Sequence, residues 1–262
     1  MRVRHTSGVT VAYFGTGFQA LAHRGGSYPG IGENSRRAFE RAVEQGYTFL
    51  ETDVHATSDG VLMAFHDESL DRVTDGHGLL TRHTAAELAE VRIGGTDPIP
   101  TLAELLTALP HARFNIDIKS SSGIVPLVRV LDECAAHDRV CVTSFSGARL
   151  GAFRRLVGRP VVTGMSQCSV ALLAFTPRFV GRHAPGAAAQ VPRRVMRGLV
   201  PLVTRRFVDA AHATGRRVHV WTINDAPTMN ELIDLGVDGI VTDATGVLKD
   251  VLVARGLWKE AA

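Results

Sequence analysis

The chain has 262 residues, 45% of them hydrophobic, which is enough for one substantial core, and its formal net charge is only +3 at pH 7. Aromatic residues make up 6% and the arginines are scattered, so we expect no nucleic-acid partner. No stretch approaches the roughly 20 apolar residues of a membrane span, and the 3 cysteines lack Cys-x-x-Cys spacing. We therefore expect no disulfide framework, no zinc site and a cytoplasmic location.

Short β-branched segments alternate with helical segments along the whole chain. The predicted strands are Ala20–His23, Thr48–Val54, Val61–His66, Arg113–Lys119, Arg139–Ser144, Pro160–Met165, Ala187–Val191, Arg217–Thr222 and Gly239–Thr242. The predicted helices are Ser35–Gln45, Ala85–Glu90, Thr101–Ala108, Ile124–Ala136, Gly147–Leu156, Thr204–Thr214, Pro227–Leu235 and Thr245–Ala254. This alternation is typical of α/β proteins with a parallel sheet and outer helices, and the length suits a (β/α)8 TIM barrel.

Nine strands are one more than such a barrel needs. The link between Thr48–Val54 and Val61–His66 is too short for a helical crossover, so these two strands are predicted to form an antiparallel excursion. The following segment, Asp67–Pro98, is polar, glycine-punctuated and too long for an ordinary connection. Long loops at a barrel rim usually serve the site, so the segment is predicted to be a small insertion over the active-site face, as a cap within one domain spanning residues 1–262.

Charged and imidazole side chains follow the first strands at one end. His23 and His66 each end a strand, and Arg24 follows His23. Glu51 and Asp53 are two residues apart, so they point to one face of their strand and can grip one cation. A hard cation such as Mg2+ or Ca2+ prefers such oxygen ligands. Two imidazoles can transfer protons at a phosphate, and a cation and an arginine can stabilise its charge. The pattern therefore predicts a metal-dependent phosphodiesterase.

Asp117 and Lys119 repeat the same spacing on the next barrel strand and place an acid and an amine on one face. Trp221 ends a later strand, where its side chain can line the site as a hydrophobic wall or simply pack in the core. Glu33 and Asn34 occupy a glycine-rich turn, where they can cap a helix. His55, His77 and His83 lack such support and are interpreted as exposed loop residues.

These residues lie in motifs that together resemble the glycerophosphodiester phosphodiesterase family, from about His23 to Leu252. The motifs are Ala22-His23-Arg24-Gly25-Gly26, Gly32-Glu33-Asn34-Ser35, Leu50-Glu51-Thr52-Asp53-Val54, Phe65-His66-Asp67, Asn115-Ile116-Asp117-Ile118-Lys119, Val220-Trp221-Thr222-Ile223-Asn224 and Gly236-Val237-Asp238-Gly239-Ile240-Val241-Thr242-Asp243. The resemblance implies hydrolysis of glycerophosphodiesters to sn-glycerol 3-phosphate and an alcohol. It also implies that the segment Asp67–Pro98 is an insertion that covers the active site, and we expect this polar cap to favour small deacylated diesters over diacyl lipids.

The resemblance, together with the chemistry and positions of the residues, predicts a role for each site residue, and these roles fall into four groups. His23 and His66 are the catalytic acid and base, in an order left open, and the nucleophile is either the neighbouring glycerol hydroxyl or water. The metal ligands are Glu51, Asp53 and Asp117, the last where the family commonly has glutamate. The substrate-binding residues are Arg24, Lys119 and Trp221. The residues that brace the site are Glu33 and Asn34.

Two other functions remain open from the sequence. One is a phospholipase D-like or sphingomyelinase D-like lipid phosphodiesterase of the same superfamily, and the other is a catalytically silent barrel that binds a phosphorylated ligand. The apolar stretch Val170–Phe175 is interpreted as a barrel helix, with a membrane-surface element as the alternative. We do not expect membrane association, and the sequence does not predict an oligomeric state.

Overall fold

The computed structural model describes residues 7–176, 181–196 and 198–259. Its strands in chain order are β1 (Gln19–His23), β2 (Phe49–Ala56), β3 (Leu62–Ala64), β4 (Arg92–Ile93), β5 (Asp97–Pro98), β6 (Arg113–Ile118), β7 (Val140–Thr143), β8 (Val162–Thr163), β9 (Ala188–Pro192), β10 (Arg194–Val195), β11 (Val200–Pro201), β12 (Arg217–Trp221) and β13 (Gly239–Thr242).

Eight parallel strands surround the core in the order β8, β7, β6, β2, β1, β13, β12 and β9. The two ends of this sheet meet at a bridge between Gly164 and Ala188, where the Met165 N–H donates to the Ala188 carbonyl at 2.8 Å. The sheet is therefore a nearly closed (β/α)8 barrel, which confirms the predicted fold class. Every parallel strand directs its carboxyl end to the same face.

The helices are α1 (Ser7–Phe14), α2 (Arg36–Glu44), α3 (Ala85–Leu88), α4 (Leu102–Ala108), α5 (Ile124–Glu133), α6 (Gly147–Leu156), α7 (Gln167–Phe175), α8 (Arg205–His212), α9 (Ala226–Asp234) and α10 (Thr245–Ala254). Side-chain caps begin several of them; the Ser35 hydroxyl accepts from the Ala38 N–H, and Thr101 forms a capping box with Glu104. Throughout the described ranges, each helix is too short or insufficiently apolar to cross a membrane.

Helix α1 was not among the predicted helices, and it lies at the amino-terminal end of the barrel. Its last two residues, Tyr13 and Phe14, are buried against the barrel interior. The Tyr13 ring meets Phe49 edge-on at 5.6 Å between centroids, and the Phe14 ring meets His219 at 5.7 Å. These aromatic contacts fill the end of the barrel opposite the carboxyl ends of the strands.

The predicted antiparallel excursion is present, because β3 pairs with β2 in antiparallel register with Ala64 opposite Val54. The segment 67–98 has more structure than the single helix predicted for it. It contains a 3-10 turn at Leu80–Arg82, helix α3 and the hairpin β4–β5. Apolar side chains of the segment pack with Met63 and Phe65 in a small core separate from that of the barrel.

The prediction for His55 was wrong. His55 lies on β2, not in a loop, and its side chain is buried. Its Nε2 is 3.1 Å from the His66 carbonyl oxygen, to which it donates as the Nε2-H tautomer. His77 is exposed as expected, whereas His83 is half-buried. Strand β2 thus contacts the backbone of His66 through the His55 side chain.

Asp238, in the turn before β13, is a half-buried acceptor that joins three elements. Its Oδ1 accepts from Arg217 Nη1 at 2.7 Å, and its Oδ2 accepts from His212 Nε2 and the Val218 N–H, both at 2.8 Å. Burial alone would raise the pKa of Asp238, but these donors outweigh it and hold the pKa below its ordinary value.

Asp238→Asn should lower the free energy of unfolding at pH 7 by about 2–3 kcal/mol, because the Arg217 guanidinium loses an ionised acceptor. Because the pKa of Asp238 is lower in the folded than in the unfolded protein, its ionised carboxylate stabilises the fold at pH values above the unfolded pKa of about 3.9. This stabilisation is lost as the pH falls through the folded pKa. Denaturant titrations should therefore show that the difference in free energy of unfolding between the variant and the parent protein shrinks below about pH 4. Asp234→Asn, at an exposed carboxylate, is the control with the same charge change. An equal loss in both variants would contradict the role of Asp238.

Candidate active site

A cavity of about 470 Å³ opens at the carboxyl ends of the barrel strands, and its volume is typical of ligand sites. The predicted catalytic, metal and substrate-binding residues all line it: His23, Arg24, Glu51, Asp53, His66, Asp117, Lys119 and Trp221. They come from strands separated by up to 198 residues of chain (221 − 23). The structure therefore brings together the predicted set.

His23, the last residue of β1, is held by a carboxylate that was not predicted as a site residue. Its Nδ1–H donates to Asp243 Oδ1 at 2.6 Å, and its Nε2 is 3.8 Å from Glu51 Oε2. Asn224 holds the other oxygen of Asp243 through a donated bond of 2.9 Å. Burial acts to lower the pKa of His23, but the hydrogen bond to Asp243 and the charge of Glu51 outweigh it and raise the pKa.

His66, which follows β3, has a similar arrangement, because its Nδ1 lies 2.5 Å from Asp67 Oδ1. Arg72, from the segment 67–98, donates to both oxygens of Asp67 and to Glu33. Burial opposes this effect, but hydrogen bonding to Arg72 is the largest contribution and lowers the pKa of Asp67 to about 2. Asp67 is therefore ionised at neutral pH and orients the imidazole of His66.

Glu33 joins Arg72 to Arg24, because it accepts from Arg72 Nη2 at 2.6 Å and from Arg24 Nη1 at 3.0 Å. The backbone at Arg24 has a φ of +51°, and Gly25 follows at +86°. A Cβ on Gly25 would lie 2.7 Å from the Cβ of Ala38, so this sharp turn requires glycine. Asn34 is buried beneath the turn and accepts from the Thr52 hydroxyl at 2.8 Å.

Three carboxylates and two cationic side chains line one part of the cavity, namely those of Glu51, Asp53, Asp117, Arg24 and Lys119. Lys119 Nζ lies 2.6 Å from Asp53 Oδ1 and 2.8 Å from Asp117 Oδ2. Desolvation by burial, then the charge of Asp53, raises the pKa of Glu51 well above its ordinary value. Such a shift is typical of a carboxylate whose charge is incompletely neutralised by its surroundings.

The donor set suits a hard divalent cation, although Lys119 holds two of the carboxylates here. Asp53 Oδ2 is buried without a hydrogen-bond donor, since Arg24 Nε is 3.2 Å away but poorly aligned. Nowhere in the described residues do three His, Cys, Asp or Glu side chains already form a metal-ligand cluster. Excess negative charge and an unpaired carboxylate oxygen are nevertheless what such a cation would satisfy.

The other wall of the cavity is apolar. Trp221 meets Phe145 edge-on, with ring centroids 5.8 Å apart. Farther out, the wall is formed by residues of α7 and by residues at and after the hairpin β10–β11, namely Val170, Ala171, Phe175, Val195 and Leu202. Sequence reasoning missed this half of the site, apart from Trp221.

Asp243→Asn should move one limb of the pH–rate profile to lower pH, because the hydrogen bond to the Asp243 carboxylate raises the pKa of His23. If neutral His23 is the base, the acidic limb shifts, and if protonated His23 is the acid, the alkaline limb shifts. We also expect kcat to fall about tenfold or more. Unmoved limbs over pH 5–9 would contradict the pairing of these residues.

Paired histidines, carboxylates and cationic side chains at the carboxyl ends of a (β/α)8 barrel define a hydrolase suited to phosphate esters. Comparison with known proteins agrees. The family model for the glycerophosphoryl diester phosphodiesterase family matches residues 23–247. A "Probable glycerophosphodiester phosphodiesterase 2" from Mycobacterium tuberculosis is 41% identical over 250 residues, which cover 92% of this chain and 93% of that protein. The chain belongs to this family and is a phosphoric diester hydrolase.

Solved structures support the same fold. A putative glycerophosphoryl diester phosphodiesterase from Silicibacter pomeroyi superposes with a TM-score of 0.80 at 22% identity, covering 96% of this chain and 99% of that one. A phosphodiesterase from Oleispira antarctica, solved with its product sn-glycerol-3-phosphate, has a TM-score of 0.75 at 25% identity and covers 90% and 96%.

Proposed function

We propose that the protein hydrolyses glycerophosphodiesters to sn-glycerol 3-phosphate and an alcohol, with two histidines as general acid and base and one divalent cation. The observation that carries this proposal is the pair of carboxylate-held imidazoles facing one cavity. His23 is held by Asp243 at 2.6 Å and His66 by Asp67 at 2.5 Å. The product bound in the Oleispira antarctica phosphodiesterase supports the choice of substrate.

In this mechanism the carboxylates fix the tautomer of each imidazole, with Nδ1–H directed at the acid and Nε2 left for proton transfer. One imidazole takes the proton of the nucleophile and the other gives a proton to the departing alcohol oxygen. Arg24 and Lys119 contact the phosphoryl oxygens and stabilise their charge. Trp221 packs against the substrate's carbon skeleton.

The residues that would hold the cation are Glu51, Asp53 and Asp117. When bound, Mg2+ or Ca2+ neutralises phosphoryl charge and polarises the phosphorus–oxygen bonds. Lys119 then donates to phosphate from its place beside Asp53 and Asp117. Glu33 and Asn34 brace the turn that positions Arg24.

We assign the whole chain, residues 1–262, to one domain and the segment 67–98 to a cap on the polar side of the mouth. Its Arg72 contacts Asp67, and residues 72–75 and 93–95 line a cleft next to His23 and Arg24. The three free cysteines support the cytoplasmic location proposed from the sequence.

A panel of glycerophosphodiesters, assayed for release of sn-glycerol 3-phosphate, tests this function. We expect turnover in Mg2+ or Ca2+, loss of turnover in excess EDTA, and recovery when the cation is restored. Full activity in excess chelator would exclude the metal role. Binding without turnover would favour the silent barrel, and faster headgroup release from diacyl lipids would favour the phospholipase alternative.

A further inference from the structure

A chain of hydrogen-bonded polar side chains runs through the inside of the barrel to the cavity, and no step of the proposed mechanism uses it. At the cavity it ends in an amide pair formed by Asn115 on β6 and Gln190 on β9, which both line the cavity. Asn115 Nδ2 donates to Gln190 Oε1 at 3.1 Å, and Gln190 Nε2 donates to Asn115 Oδ1 at 2.8 Å. Because β7 and β8 separate the two strands in the sheet, the amide pair spans the barrel interior.

Behind the amide pair, the chain continues to His219 on β12 and Gln19 on β1. Gln190 Nε2 lies 3.3 Å from His219 Nδ1, and His219 Nε2 lies 3.2 Å from Gln19 Oε1. Gln19 Nε2 donates to the backbone carbonyls of Phe14 and Gly17, which lie at the end of α1 and in the turn after it. The chain therefore connects the backbone at one end of the barrel with the cavity at the other.

A glycine allows His219 and Gln19 to meet. Strand β13 lies between β1 and β12, and Gly239 is in register with both residues. A Cβ on Gly239 would lie 2.6 Å from the Gln19 carbonyl oxygen and 3.0 Å from His219 Cδ2. The close approach of the two side chains therefore requires a residue without a side chain at this position of β13.

The donors and acceptors of this chain have one consistent assignment. The carbonyls of Phe14 and Gly17 can only accept, so the Gln19 amide nitrogen faces them and its oxygen faces His219. Desolvation by burial lowers the pKa of His219 to about 4, so its imidazole is neutral at pH 7 and carries its hydrogen on Nε2. Its Nδ1 is then an acceptor, and this fixes the orientation of the Gln190 amide.

The amide pair keeps hydrogen-bonding capacity of both kinds. Both N–H groups of Gln190 are used, but among the described residues its oxygen accepts one bond and can accept two. Within the same ranges, Asn115 Nδ2 donates one bond and can donate a second. The hydroxyls of Thr143 and Ser144 also line the cavity, but they already donate to carbonyls of β6.

A hydroxyl group matches this capacity, because it can accept from one N–H and donate to one oxygen. A phosphate oxygen without a proton can only accept, and an ammonium group can only donate. Asn115 precedes Asp117 by two residues on β6, which places it about 7 Å deeper along the strand. The amide pair therefore suits the part of the ligand that lies away from the phosphate. In a glycerophosphodiester this is the terminal hydroxyl of the glycerol.

We propose that Asn115 and Gln190 bind the terminal hydroxyl of the substrate's glycerol. His219 and Gln19 are then positioning residues, which orient the amide pair without touching the ligand. The inference rests on the proposed function, because that function places the phosphate among the charged side chains of the cavity. The hydroxyl next to the phosphate, one of the two candidate nucleophiles, takes no part in this contact.

Binding of the reaction product measures this selectivity without turnover. Isothermal titration in Mg2+ should compare sn-glycerol 3-phosphate with propane-1,2-diol 1-phosphate of matching configuration, which lacks only the terminal hydroxyl. We expect the parent protein to bind sn-glycerol 3-phosphate about tenfold or more tightly than the analogue. Gln190→Met keeps the length of the side chain but lacks the amide, and it should remove most of this ratio of Kd values.

Two substitutions at His219 separate positioning from packing. His219→Leu removes both ring nitrogens and should lower the ratio as Gln190→Met does. His219→Gln keeps one donor and one acceptor, so it should restore most of the selectivity. A mere loss of stability would affect both ligands equally and leave the ratio unchanged. Because Gln190 is only half-buried, its variant tests the amide pair even if His219→Leu fails to fold.

His137→Leu is the matched control for His219→Leu, because His137 is also a buried histidine but does not line the cavity. It should leave the ratio of Kd values unchanged. Thermal unfolding of each variant would verify that the proteins compared are folded.

Turnover extends the comparison to diesters. The substrates are glycerophosphocholine and the phosphocholine ester of propane-1,2-diol, linked through its primary hydroxyl so that the hydroxyl next to the phosphate is kept. We expect kcat/KM of the parent to favour glycerophosphocholine by about tenfold or more. Gln190→Met should remove most of this preference.

A parent protein that binds both phosphates equally, or an unchanged ratio in Gln190→Met, would overturn the hydroxyl site. An unchanged ratio in His219→Leu would overturn the positioning role. If glycerophosphocholine were still hydrolysed, the proposed function would survive either result. If sn-glycerol 3-phosphate bound selectively but no diester were hydrolysed, the hydroxyl site would stand and the proposed function would fail.

Discussion

His23→Ala and His66→Ala should each lower kcat by roughly a hundredfold or more, because each imidazole transfers a proton in the transition state. Each faces the cavity, and each has its Nδ1 held by a carboxylate, so Nε2 is the nitrogen left for the substrate. The double variant should be little worse than the poorer single variant if the two imidazoles act in one concerted step. Steady-state kinetics on glycerophosphocholine would measure the loss.

His77→Ala is the control for these variants, because His77 is exposed on the segment 67–98 and does not line the cavity. It should retain full turnover, and all three variants should keep the parent's thermal unfolding profile. Near-normal kcat in either cavity variant would assign that histidine a structural role.

Asp53→Asn should lower kcat/KM by at least about a hundredfold and weaken binding of Mg2+ or Ca2+ in direct titration. Asp53 lies between Lys119 and Arg24 and has a buried oxygen without a donor, so it lies at the centre of the charge cluster. The amide has the same shape but lacks the charge that a divalent cation requires.

Asp250→Asn removes the same charge from an exposed position on α10 and should change neither property. Unchanged cation affinity in Asp53→Asn would show that the cation is held elsewhere. Loss of activity with intact cation binding would instead assign Asp53 to the placement of Lys119.

The fold was predictable because hydrophobic runs, capping residues and glycine turns agree along the chain. Ser35 and Thr101, for example, cap their helices with bonds to backbone N–H groups three residues later. The hairpins β4–β5 and β10–β11 were missed because two-residue strands are too short to show a periodicity. Helix α1 was missed because its burial depends on the barrel end that it covers.

The site was predictable as far as one rule extends: polar residues at the carboxyl ends of parallel strands share one face. That rule brought Glu51, Asp53 and Asp117 together correctly, whereas His66 reaches the same cavity after β3, which runs antiparallel to β2. Asp243 also follows a barrel strand and could have been found in the same way. Arg72 and the apolar wall could not, because they belong to loops and to α7, whose placement depends on tertiary packing.

The bond between His23 and Asp243 spans 220 positions, and it exists because β1 and β13 are neighbours in the barrel. A growing polypeptide presents His23 at a point 220 positions before its carboxylate partner is synthesised. Hydrolytic competence should therefore arise abruptly once β13 and residue 243 are available, not gradually as the chain lengthens. Fragments that end before residue 243 should lack it even where their remaining strands associate.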